Sequence, residues 1–290
     1  MINGVEIAKI LFMLTSAMTS REKQILFSAS MYDFRSSITR CNDLKGLQDS
    51  GARSSSMKDK TSLNLQSANI GEFTNAQFWA FCHTISKCQR LNILDLENNK
   101  LNKLGSTSTP SLGSHIVALL KSTPKLEALI LKNNSLYLTS KTDIETIGQE
   151  FENLKQLAYL DISQNGLCDS NLASVIYAVS KLPNLVVLDL SNELFFNKTI
   201  DVEELRAVLD ALNDTMRTKK LRVVLFSKED LSVIEDLECL QKAFPFIRLK
   251  SKKDKKIAYP LEVLRESRNK PTLEAISLIE ESIKKFFPSL

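Results

Sequence analysis

The sequence predicts an α/β solenoid in the form of a horseshoe. Parallel strands line its inner, concave face, helices cover its convex face, and helical caps close both ends. Three observations predict it. A motif of the form L-x-x-L-x-L-x-x-N-x-L recurs, helical periodicity follows the motif, and the copies keep phase over most of the 290 residues. Four copies align directly: Leu91–Leu101, Leu126–Leu136, Leu157–Leu167 and Leu185–Glu193, the last carrying Glu193 where asparagine is expected. Two degenerate copies flank them, Lys60–Ile70 and Leu221–Leu231, and Phe244–Lys250 offers a seventh in ambiguous register. The starts at 60, 91, 126, 157, 185 and 221 are 31, 35, 31, 28 and 36 residues apart. One chance match is easy, whereas four good copies in phase are not.

Each copy specifies a strand and a turn. Side chains alternate along a strand, so Leu94 and Leu96 point into the core while Ile93, Asp95 and Glu97 point to the opposite face. Asn99, Asn134 and Asn165 are the structural asparagines, whose amides serve backbone groups that no strand ladder reaches. Ala68, Glu193 and Glu229 interrupt that column, which predicts less regular ends than middle.

Helices follow. Ser114–Lys121 and Ser170–Lys181 place apolar residues at three- and four-residue steps, with Leu172, Val175, Ile176 and Val179 on one face and Ser170 as N-cap. Thr142 and Glu145 have capping-box spacing, opening a helix over Asp143–Leu154. Val202–Leu212 adds Leu205, Val208 and Leu209 on one side. Pro124 and Pro183 each stop a helix two residues before the next leucine.

These residues resemble the leucine-rich-repeat family, and units of this length resemble its ribonuclease-inhibitor-like type. The resemblance implies a binding module that holds a partner protein on its concave face. It divides the chain into a helical N-terminal cap and polar connection (1–59), an array of six to seven repeats (60–250), and a charged linker with a C-terminal amphipathic helix (251–290). In the cap, Val5–Met18 and Arg21–Phe34 read as helices and Ser50–Lys60 as a polar connection. At the other end Leu273, Ile276, Ile279, Ile283 and Phe287 form an apolar stripe behind Pro271.

Composition narrows the function classes. The fractions of 43% hydrophobic and 25% charged residues are those of a globular chain. No apolar run is long enough to span a bilayer, and the Ile10–Leu14 stretch follows no basic n-region, so a capping helix is preferred to a cleaved signal. Five cysteines at irregular spacing argue for reduced thiols and a cytoplasmic location. The net charge of +4 belongs to the tail, since residues 241–290 hold twelve Lys/Arg against six Asp/Glu. That leaves no basic footprint for nucleic acid on the array. The Lys252–Lys256 cluster reads as a solvated linker ahead of a membrane-surface patch, because Asp254 interrupts it and no aromatics interleave.

Chemistry is sparse. The chain has only two histidines, His83 and His115, and no phosphate loop, dinucleotide fingerprint, zinc-protease helix or nucleophile elbow. Cys82 and Cys88 do not share a helix face and read as packing residues near Trp79, so no metal and no cofactor are expected. The enzymatic alternative is a cysteine-dependent transferase or hydrolase using Cys82, Cys88 or Cys239 with His83 or His115. The residues expected to bind the partner are Asp95, Glu97, Ile130, Lys132, Tyr159, Asp161, Val187, Asp189 and Leu225. They combine an acidic middle column, one aromatic anchor and exposed apolar patches. Asp between the two leucines is also common in the family, so the same column has a purely structural reading.

A second resemblance bears on biology. The stand-alone, irregular, Asn/Lys/Ser-rich array is similar to leucine-rich-repeat effectors that intracellular bacteria inject into host cells. Glu274, Glu280 and Glu281 followed by Phe286–Leu290 resemble an acidic, hydrophobic-ended type IV translocation signal. The expectation is a monomer that binds a protein, an enzyme of the host or another effector, and occludes its active site. Membrane-peripheral adaptation is the further alternative.

Overall fold

The computed structural model describes residues 61–104, 110–167, 169–191, 202–227, 231, 237–250 and 261–286. The expected N-terminal helices, the Ser50–Lys60 connection, the lysine cluster, and residues Cys41, Cys168, Glu193 and Glu229 lie outside them.

Each repeat core forms a strand: β1 (Ser62–Asn64), β2 (Ile93–Asp95), β3 (Ala128–Ile130), β4 (Tyr159–Asp161), β5 (Val187–Asp189), β6 (Val223–Ser227) and β7 (Ile247–Lys250). They pair in parallel in sequence order as one open seven-stranded sheet. The register follows the motif, with Leu63, Leu94, Leu129, Leu160, Leu188 and Val224 side by side. The ambiguous seventh copy joins through Val224↔Ile247.

Eight helices are seen among the described residues. Those of the array are α1 (Asn75–Ile85), α2 (Leu112–Ser122), α3 (Lys141–Phe151), α4 (Asp169–Val179), α5 (Val202–Thr218) and α6 (Leu237–Ala243). Strand leucines and helix apolar faces meet in one continuous core. Burying each such side chain contributes about 1.5–3 kcal/mol.

Caps set the helix starts. Thr74 and Gln77 form a capping box at α1, and Ser111 caps α2. At α3 the cap is Ser140, not the expected Thr142–Glu145 pair. Ser140 holds extended backbone and its Oγ accepts from Asp143 N, whereas Thr142 already lies in the first helical turn. Helix α4 begins at Asp169, so Ser170 is an internal residue rather than the N-cap.

The turns between strand and helix carry two left-handed residues per repeat. The pairs are Ser67/Asn69, Asn98/Lys100, Asn133/Ser135 and Gln164/Gly166. Holding non-glycine residues there costs on the order of 1 kcal/mol each. The asparagine ladder between them offsets it. Asn134 Oδ1 accepts from Asn99 N and Leu101 N, while its Nδ2 donates to Leu96 O and Leu131 O. Asn99 and Asn165 make the equivalent links. Gly71 sits where one repeat's backbone meets the next, and a Cβ there would lie 1.9 Å from Lys100 O.

The C-terminal region departs from expectation. Two helices form, α7 (Leu261–Ser267) and α8 (Thr272–Phe286), separated by a turn before Pro271. They lie on the face of the sheet that α1 to α6 leave free, the helix-free face of the repeat array, and build a second apolar cluster there. The buried stripe of α8 is Ala275, Ile276 and Ile279, while Leu273 is 72% exposed. At 3.6 residues per turn Leu273 is rotated roughly 110° from the centre of that stripe. The side chains of Ile283 and Phe287 lie outside the described set.

Candidate protein-binding face

The helix-free face carries the strand side chains that alternate with the core leucines. Its middle column reads Asn64, Asp95, Ile130, Asp161, Asp189 and Leu225 across the sheet, continued by Arg248 of β7. The structure brings the expected partner-binding residues together on this one face, yet corrects their exposure. Asp95, Ile130, Tyr159, Asp161, Val187, Asp189 and Leu225 are all buried. Glu97 and Lys132 are half-buried. For the residues of β3 to β6 the physical reason is coverage, because α7 and α8 pack against those strands.

The carboxylates of the middle column have structural work. Asp95, Asp161 and Asp189 each accept through Oδ1 from the backbone N–H two residues on, at 3.1, 2.9 and 3.0 Å. Asn64 does the same toward Gln66 N. Each is a local Asx turn that ends a strand. Ser163 and Ser191 hydroxyls add a second donor to Asp161 and Asp189.

One arrangement had no readable sequence signal. Lys250, the last residue of β7, reaches across to Asp189, with Nζ 2.7 Å from Oδ2 and both side chains buried. Asp161 lies beside Asp189 in the register, and the Tyr159 hydroxyl donates toward its Oδ2. Burial, and then the neighbouring Asp189 charge, push the Asp161 carboxyl up to about 6 against the opposing bonds from Ser163 and the charge of Lys250. Two buried carboxylates therefore share one buried cation.

The cover is held by apolar contact and arginines. Leu264, Ile276 and Ile279 join Ile130, Tyr159, Val187 and Leu225 in the second cluster. At its margin Arg265 makes a two-pronged contact with Glu127, through Nε to Oε2 at 2.7 Å and through Nη2 to Oε1. Arg268 donates to Gln156 O, and Arg248 of β7 pairs with Glu280 of α8. Toward the N-terminal end the face opens among the described residues. Ser62, Asn64 and Gln66 are exposed, Ile93 is half-buried, and Glu97 pairs with Lys132 at 2.9 Å.

The enzymatic alternative finds little support in the local chemistry. Burial pushes the Cys82 thiol up to about 12, which suppresses the reactive thiolate. His115 is buried, with Nδ1 2.9 Å from Ser111 O and Nε2 3.0 Å from Asn75 Oδ1, placing the ring between α2 and the start of α1. His83 is exposed on α1. The side chain of Cys239 lies outside the described set. Among the described residues no group of three or more His, Cys, Asp or Glu is placed to hold a metal. No helix among them is long and apolar enough to cross a membrane. Native iodoacetamide treatment should leave Cys82 and Cys88 unmodified and label both after denaturation; peptide mass spectrometry reads the result.

Repeat motif, asparagine ladder and in-register parallel sheet together define an α/β solenoid of the leucine-rich-repeat type. No family model matches the chain. Over 147 residues, 45% of this chain, it is 26% identical to tubulin-specific chaperone E of Xenopus laevis, and the match covers 26% of that protein's length. Among solved structures, the leucine-rich repeat-containing protein LegL7 from Legionella pneumophila is similar over 77% of this chain and 62% of that chain. The TM-score is 0.47 and the identity 18%.

Proposed function

We propose that the chain is a non-enzymatic protein-interaction module that takes its partner on the helix-free face of the sheet. The observation that carries this reading is that the face already buries polypeptide. Leu264, Ile276 and Ile279 pack on Ile130, Tyr159, Val187 and Leu225, and arginine contacts ring the cluster. An apolar centre inside a polar rim is the anatomy of a protein interface. The similarity to a tubulin-specific chaperone, named for a protein client, supports a protein as the ligand. Six gaps between seven strands give the whole face a width of ~29 Å, and its N-terminal end, where Ser62, Asn64 and Gln66 are exposed, is open.

In its finer form the module is a monomer and the partner is an enzyme, of a host or of the organism that makes this chain, whose active site becomes occluded. The resemblance to injected effectors extends the proposal to type IV delivery into a host cytoplasm. Of the three carboxylates in the proposed signal, Glu274 and Glu281 are exposed on α8 and Glu280 pairs with Arg248.

The test is affinity capture from host and self lysates, read by mass spectrometry. It compares the wild type with Ser62→Arg/Gln66→Arg on the open end of the face and with Tyr177→Ala on the helical side. The face variant should lose the captured protein by ~10-fold or more, and the Tyr177 variant should retain it. The opposite pattern would move the interface to the helices. Assay of a captured enzyme against increasing module then decides the inhibitory form.

A further inference from the structure

We propose that the α7–α8 hairpin is a tethered occupant of the binding face, standing in for a partner segment of the same chemistry: a helical hairpin whose first helix and turn carry arginines and whose second helix carries an isoleucine stripe. The inference rests on reading the helix-free face as the binding surface. It adds what that surface recognises and what controls access to it.

The array holds together without the hairpin. The core that unites strands with α1 to α6 lies on the other side of the sheet and forms a cluster separate from the one beneath α7 and α8. The asparagine ladder likewise runs through the turns and involves no hairpin residue. The seven strands pair only with one another. Lifting the hairpin thus exposes an apolar strip while the sheet and repeat core stay intact.

The seat has a readable specificity. Ile130, Tyr159, Val187 and Leu225 supply an apolar strip across β3 to β6. At the edge where these strands begin, the Glu127 carboxylate and the Gln156 carbonyl are arginine receptors, now filled by Arg265 and Arg268. The Glu127 fork demands a planar, two-pronged cation, so arginine fits where lysine does not. A helix offering branched apolar residues three positions apart, as Ile276 and Ile279 do, matches the strip.

The tether sets the threshold. Ten residues, 251–260, join β7 to α7 and reach at most ~36 Å when extended. A ligand on so short a connection has an effective concentration on the order of millimolar. An incoming helix must outcompete it, and its apparent affinity falls by the fraction of molecules with the face open.

The experiment uses the full chain and a fluorescein-labelled synthetic peptide of residues 261–286 as probe. Binding is followed by anisotropy to wild type, to Ile276→Asp/Ile279→Asp, and to that variant with Ile130→Asp added. Release of the tethered hairpin should tighten peptide binding by ~10-fold or more over wild type, and Ile130→Asp should abolish the gain. A peptide carrying Arg265→Lys and Arg268→Lys should bind the released variant ~10-fold more weakly. Arg265→Glu in the full chain releases the hairpin by repulsion from Glu127 and replaces the double variant if circular dichroism shows the latter unfolded. Folded release variants that bind the peptide no better than wild type overturn the inference. So does a hairpin-exchanged dimer in light scattering, which would make a second copy the occupant. If captured protein is lost by Ser62→Arg/Gln66→Arg yet binds wild type and released chain equally, the face reading stands and the tethered-occupant inference falls.

Discussion

Replacing Asn134 with leucine is expected to destabilise the protein by roughly 3 kcal/mol or more, the sum of several buried groups left unpaired at about 1–3 kcal/mol each. Leucine is close in volume, so packing is nearly conserved and the loss is polar. Asn134 is 0% exposed. Its oxygen takes the N–H groups of Asn99 and Leu101 from the preceding repeat, at 2.9 and 3.3 Å. Its nitrogen serves the Leu96 and Leu131 carbonyls at 2.9 and 2.8 Å. The left-handed residues Asn133 and Ser135 stand on either side of it, so the substitution removes bonds from the middle of the turn they shape. Urea denaturation followed by far-ultraviolet dichroism measures the change. The midpoint should fall with little change in slope, because the same surface is exposed on unfolding. A midpoint shift below that of a surface substitution would show that the ladder does not tie the repeats together.

Lys250→Met should cost ~3–5 kcal/mol above pH ~7 and far less below pH ~4. Methionine matches the lysine stem as far as Cε and removes the ammonium, with its charge and its hydrogen bond to Asp189. Without Lys250, Asp189 and Asp161 remain buried side by side with no cation within the cluster. Asp161, whose carboxyl burial and the neighbouring Asp189 charge already raise, then loses the Lys250 charge that opposes them. A carboxyl whose folded pKa is raised favours folding below its unfolded pKa, and that contribution disappears as pH rises through the folded value. In the wild type this window already opens at Asp161, whose value is about 6. The variant's stability should therefore fall more steeply than wild type between pH ~4 and ~7. Adding Asp189→Asn to Lys250→Met should recover part of the loss and flatten the profile. Thermal unfolding across that range checks both statements, and a pH-independent loss would assign the effect to packing alone.

Much of the repeat architecture is legible in the residues themselves. The L-x-L alternation places Leu129 and Leu160 in the core, and the spacing of the copies aligns them across adjacent strands. The asparagine after each strand marks the turn, because a short amide side chain there is the nearest group able to satisfy stranded backbone. These are local patterns repeated at a fixed phase, and a period is visible in a linear string. The middle-column aspartates also had a local reading, since an Asp two residues before its bonded N–H needs nothing distant to form its turn.

What lies on the helix-free face was decided by the tertiary structure alone. Alternation assigns Tyr159, Val187 and Leu225 to that face and says nothing about what covers it. The arrangement on that face depends on contacts such as Arg265 of the cover with Glu127, 138 residues apart, and Lys250 of β7 with Asp189, 61 apart. No periodicity links such positions, because each pairing is a single meeting of side chains rather than a repeated one. The stripe on α8 was visible in outline, but its rotation, which buries Ala275 and exposes Leu273, was set by packing on the sheet and on α7. The repeat pattern thus determined a sheet with two faces, while long-range packing determined that one of them is already occupied.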